Sequence, residues 1–165
     1  MIKAIEINLQ RGINLLNSIS DSDYSEQSIP PYFSSIGCHI RHILDMFICV
    51  LNGVERGSID LTNRDRNQEA EQKCDAGIDY FQIIIKRMSL LSENDLKSEI
   101  LITDDLGAGK ITSKTTIGAA LMQVQSHTIH HYASIGYIIH QLGIELPDSD
   151  FGFNPTTPNK NLRAS

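Results

Sequence analysis

The chain has 165 residues, 41% of them hydrophobic, a formal charge of −6 and a pI near 5.4. That length holds one domain with a real core and is short for two. The acidic balance, with no Lys/Arg run longer than two, argues against a nucleic-acid surface, since phosphate binding needs clustered Lys and Arg. No stretch approaches the roughly eighteen uncharged apolar residues of a membrane span. Met1 to Asn8 alternates polar and apolar residues and lacks the continuous core of a secretory leader. Cys38, Cys49 and Cys74 are odd in number and form no C-x-x-C pair. They read as buried free thiols, and the expected compartment is the reducing cytoplasm.

A first helix is predicted from Ile2 to about Ile19, with Ile5, Leu9, Ile13 and Leu16 on one side. Ser20 to Pro31 reads as a polar connection closed by two prolines. The second helix starts near Phe33 and is apolar almost all round. Its main stripe is Ile36, Ile40, Ile43, Phe47 and Val50, and Arg41 with Asp45 form its only solvent strip. Asn52-Gly53 and Arg56-Gly57 end it. Ser58 to Gln68 is a charged loop, Asn63 to Asn67 its most polar part. A third helix runs from about Glu69 to Leu91, carrying Ala76, Tyr80, Ile83, Ile84 and Met88. Ser92 to Asp95 breaks it. Leu96 to Thr103 partly alternates and predicts a short strand, turning at Asp104–Gly109 to pair with Lys110–Ser113. The fourth helix covers Thr115 to Gln141, with Ser113 or Thr115 as N-cap. From about residue 144 to Ser165 the chain loses its periodicity and is expected to drape over the surface. Four long amphipathic helices with a β insert before the last predict an all-α four-helix bundle, one domain over residues 1–165.

All six histidines, His39, His42, His127, His130, His131 and His140, fall in the second and fourth helices. His127 and His131, one turn apart on the apolar stripe, have the spacing that grips a single metal ion. A catalytic site takes a third protein ligand and leaves one position open. The helical wheel favours His39, nearer the stripe centre, while His42 lies on the flank beside Met46 and Cys49, so periodicity leaves the third ligand open. His130 and His140 read as partly exposed, although His130 is placed to hydrogen-bond a liganding imidazole. Cys49 is a conceivable soft donor. Tyr132 and Asp45 are the nearest candidates for carrying a proton, but no catalytic residue is assigned. A di-iron bundle needs E-x-x-H pairs, and the two histidine-bearing helices hold only Asp45 as an acid, which rejects it.

Ser35-Ile36-Gly37-Cys38-His39-Ile40-Arg41-His42-Ile43, followed by Ser126-His127-Thr128-Ile129-His130-His131, resembles the DinB/YfiT superfamily of metal-dependent four-helix bundles. The family pattern S-I-x-x-x-x-x-H-[IL] falls on Ser35 to Ile43, and H-x-x-x-H on His127 to His131. The resemblance implies His42, His127 and His131 as ligands of a divalent ion: zinc or nickel first, with manganese, cobalt or iron also suited to imidazole. After the last ligand this chain has Tyr132-Ala133-Ser134 where many members carry R-G-Q. The resemblance further implies a homodimer and a small-molecule substrate, since several relatives are similar to enzymes that add a low-molecular-weight thiol to an electrophile. The expectation is therefore a metal-dependent thiol S-transferase or hydrolase. The competing expectation is a non-catalytic, DNA-damage-inducible stress-response bundle whose metal is closed off by His39 or His130. A metal-free bundle with merely buried histidines ranks third.

Overall fold

The computed structural model describes residues 1–146 and 148–157. Four long helices form the bundle: α1 (Ile2–Leu16), α3 (Ile36–Arg56), α5 (Cys74–Met88) and α7 (Ile117–Gln141). Three short ones, α2 (Asp21–Ser25), α4 (Glu69–Gln72) and α6 (Glu93–Lys97), punctuate the connections. Among the described residues no helix is long and apolar enough to cross a membrane. α3 packs on α7 and α1 on α5, around a core containing Leu9, Ile36, Ile40, Ile43, Phe47, Phe81, Leu121, Val124 and Ile135, all essentially without solvent contact.

The first helix ends three residues earlier than its apolar pattern, at Leu16, with Asn17 as C-cap. The second begins at Ile36 rather than Phe33, because the buried Ser35 side chain accepts from the Cys38 amide and caps it. The third is split. Lys73 is extended, and the Asp21 carboxylate of α2 accepts from the Cys74 amide at 2.8 Å, starting α5 afresh. Two polar stretches expected to be irregular are capped helical turns. Ser20 with Asp23 and Ser92 with Asp95 each form a reciprocal capping box, and the first drives Tyr24 into the core, where its hydroxyl donates to the Ala70 carbonyl.

The β insert is larger than the sequence implied. β2 (Glu99–Asp105) pairs antiparallel with β3 (Lys110–Thr116), and Ser58–Asp60, read as loop, forms β1, parallel to β2. β3 runs straight into α7, so Thr116, not Ser113 or Thr115, is the N-cap.

Arg41 and Asp45 do not form a solvent strip. Asp45 is only 3% exposed and takes the Arg41 guanidinium at 2.7 Å and the Tyr80 hydroxyl at 3.1 Å, while Arg41 also pairs with Glu71 at 2.6 Å. Burial pushes the Asp45 carboxyl upward, and the Arg41 charge opposes it. The pair turns inward because α4 and α5 cover that face of α3. The cysteines are free, but only Cys74 is buried, and Cys38 and Cys49 are half-buried. The tail does more than drape: Phe151 is buried and stacks on Tyr132 at 4.4 Å between centroids, and Asp148 pairs with Arg11 at 2.6 Å. The remainder of the expected tail, Pro147 and residues 158–165, lies outside the described residues.

Gly37, inside the Ser35–Ile43 motif, is where α3 and α4 touch. A Cβ there would collide with the Glu71 backbone carbonyl, which cannot swing aside as a side chain would. Gly37→Ala is therefore expected to cost on the order of 1–3 kcal/mol, read as a lowered urea midpoint. An unchanged midpoint would contradict the close approach.

Candidate metal centre

α3 and α7 each present histidines at the edge of their buried stripe. On α7 the innermost positions are Val124, Thr128, Tyr132 and Ile135, so His127 and His131 flank the core and remain partly open. On α3, His39 and His42 flank the Ile36–Ile40–Ile43 stripe in the same way. The contacts run in opposite chain senses, His39 to His131 and His42 to His127, so the two helices are antiparallel across the site.

The Nε2 atoms of His42 and His127 are 2.8 Å apart, and those of His131 and His127 are 2.9 Å apart. The three rings form one group of donors within 4.8 Å of one another, and among the described residues no further His, Cys, Asp or Glu joins it. His39 stands behind. Its Nδ1 meets the Nδ1 of His131 at 2.7 Å, and its Nε2 meets the Ser34 hydroxyl at 3.0 Å.

Protons alone do not satisfy this arrangement. His127 Nε2 carries one hydrogen or one lone pair, yet two ring nitrogens close on it. One divalent ion accepts all three lone pairs at once. Donors about 2.9 Å apart subtend roughly a right angle at an ion bonded at about 2.05 Å, so the two close pairs, His42 with His127 and His127 with His131, admit it. With the Nε2 of His131 used in this way, its Nδ1–H donates to His39, whose own Nε2–H then donates to Ser34. Each tautomer is set by the next group. The chain Ser34–His39–His131 is thus a support that orients the last imidazole.

Burial holds the four rings neutral. It is the largest cause in each case, pushing His42 down to about 4, with Arg64 next, and His131 down to about 3, with His127 next. His39 and His127 are lowered too, with His130 the next cause for both. Neutral imidazole is the form that ligates.

The other candidates fall elsewhere. His130 and His140 are exposed, and the His130 ring lies 5.5 Å from that of His131 and 6.3 Å from that of His127, centroid to centroid. Cys49 donates to the Asp60 carbonyl at 3.2 Å, and burial pushes its thiol up. Tyr132 is buried under Phe151 on another face of α7, and Asp45 belongs to the Arg41–Tyr80 network. Asp45 is not among the grouped donors. Ser34 and Asp104 carried no pattern that would have singled them out, and Arg64 was hidden in a charged loop.

Two clefts reach the histidines, and His130 lines both. One, of about 560 Å³, is lined mostly by residues with polar or charged side chains, among them His42, His127, Arg64 and Asp104. The other, of about 730 Å³, is mainly apolar and runs past His39 and His131 to Pro30, Tyr32 and Tyr137.

Fold and donor set define a helical bundle with a three-histidine group between two antiparallel helices, able to hold a metal ion. The sequence model of the DinB family matches residues 4–161, and the chain belongs to that family. Its fold is similar to that of a DinB-like protein, YjoA, from Bacillus subtilis (TM-score 0.63, 24% identity, 88% of this chain and 96% of that one). It is likewise similar to a DinB-like protein from Bacillus cereus (TM-score 0.60, 16% identity, 86% and 89%). No curated protein matches the sequence.

The depressed imidazole pKa values fix a pH dependence. The unfolded chain takes up protons near the ordinary value of 6.5 while the folded rings resist to about 4 and about 3. Stability of the metal-free protein from this source is complete above about pH 6.5 and is lost as pH falls through that window. Urea midpoints measured from about pH 7 down to pH 4 are expected to fall more steeply in the wild type than in His131→Gln. Parallel profiles would show that the rings are not held neutral by the fold.

Proposed function

We propose that the protein is a divalent-metal-dependent enzyme acting on a small molecule, with the Nε2 atoms of His42, His127 and His131 as ligands of zinc or nickel. The observation that carries this reading is the convergence of three neutral imidazoles with, among the described residues, no fourth His, Cys, Asp or Glu donor in the group. A structural ion would call for that fourth ligand, whereas a catalytic one keeps a position open. The bound ion would supply Lewis acidity, lowering the pKa of a water or a thiol at the open position.

The chain's own residues do the rest. His39, backed by Ser34, fixes the ring of His131 and keeps the proton of that ring on Nδ1, away from the ion. The apolar cleft past Tyr32 and Tyr137 suits the organic part of an electrophile, and the cleft carrying Arg64 and Asp104 suits a second, charged reactant. Two unlike clefts meeting at one site favour thiol transfer between two substrates over hydrolysis, which needs only one. The DinB family, with relatives similar to thiol S-transferases, is consistent with this preference.

The test is a rate measurement on protein loaded with zinc or nickel, using a small thiol with a panel of electrophiles, and separately a panel of esters. Thiol addition is expected to rise at least about tenfold over metal-free protein, and His127→Ala is expected to abolish the gain. Acceleration of ester hydrolysis alone would move the assignment to a hydrolase. Acceleration of neither would contradict the enzyme reading.

A further inference from the structure

Arg64 lies in the connection between β1 and α4, and its half-buried side chain shares the polar cleft with His42, Met46 and His127. Its guanidinium lies against the Met46 thioether sulfur, which is neutral and a weak acceptor. Among the described residues no carboxylate stands within ion-pair distance of it. The other partly shielded arginines are different: Arg11, Arg41 and Arg87 each hold at least one acid. A guanidinium drawn out of water without an anion is unfavourable, and its planar fork matches a carboxylate in two parallel hydrogen bonds.

Its position ties it to the histidines. Arg64, His42 and His127 line one cleft, so a molecule held by the guanidinium lies beside two of the three grouped imidazoles. Asp104 from β2 faces the same cleft. One cation and one anion on the walls admit a single negative charge more readily than a doubly charged phosphate. The cleft volume, about 560 Å³, is in the range that takes a small organic molecule.

We propose that Arg64 anchors the carboxylate of a low-molecular-weight thiol whose sulfur reaches the three-histidine site, an inference that rests on the metal-dependent thiol reading above. The substrate class is then a thiol acid rather than a neutral thiol, and Arg64 is the residue that selects it.

The experiment uses the full chain loaded with cobalt, whose visible spectrum reports thiolate binding, titrated with mercaptopropionate and with mercaptoethanol. The wild type is expected to bind the acid about tenfold more tightly than the neutral thiol. In Arg64→Gln the two affinities are expected to converge with cobalt content retained, and Arg64→Lys, which keeps a point charge, is expected to restore part of the preference. Equal affinities in the wild type, or a preference that survives Arg64→Gln, would overturn the inference and leave the metal reading standing. Failure to bind cobalt, or to bind either thiol, would overturn the metal-dependent thiol reading and this inference with it.

Discussion

Two ring nitrogens press on the same nitrogen of His127, and everything else about this site follows from how that crowding is resolved. Inside the protein the rings are neutral because charging them away from water is costly. Neutral rings have one hydrogen and one lone pair each, which suffices for a chain of imidazoles but not for a branch point. His131 to His39 to Ser34 is such a chain and is satisfied. His127 with His42 and His131 is a branch point, and it is unsatisfied without a cation. The packing of α3 on α7, through Ile40, Ile43, Phe47, Leu121, Val124 and Ile135, holds the rings together in spite of this. A bound ion would remove the conflict, and metal and fold would then be thermodynamically linked, loading stabilising the native state by mass action.

Much of the remaining architecture keeps α3 where it must be. Ser35 caps its start, Gly37 lets α4 lie against it, and the Arg41–Asp45 pair with Glu71 and Tyr80 ties its far side to α4 and α5. These interactions set the axial offset of α3, and a shift of one turn would exchange His39 and His42 opposite α7. α7 is set at its start by direct continuation from β3 and just past its middle by Phe151 stacked on Tyr132. The charged walls of the polar cleft come from outside the bundle, Arg64 from a connection and Asp104 from the sheet. The bundle therefore positions the donors, and the insertions decide what reaches them.

The four long helices and the grouping of histidines on two of them were legible, because three- and four-residue apolar spacing is a local property. What was hidden depended on contacts distant in sequence. The wheel could not choose between His39 and His42, since both flank the same stripe and only the offset against α7 separates a member of the group from its support. The motif shared with the family pointed to His42 where the wheel did not. The start of α5 is decided by Asp21, some fifty residues earlier, and no periodicity carries that. Asp45 looked solvated because Tyr80 from α5, and Glu71 from α4 on the other side of Arg41, reach the pair only once those helices cover α3. The capping boxes at Ser20 and Ser92 were in plain view as S-x-x-D, and were masked by polar composition that reads equally well as a break.

The most direct test is metal content by mass spectrometry on untagged protein purified without chelator, for the wild type and for His127→Ala, with circular dichroism to confirm that both are folded. His127 is the branch point, so its loss should dismantle the site while leaving the bundle. The account predicts about one equivalent of divalent metal in the wild type and essentially none in the folded variant. No metal in the wild type after soaking with zinc, nickel or manganese, or equal metal in both proteins, would contradict it.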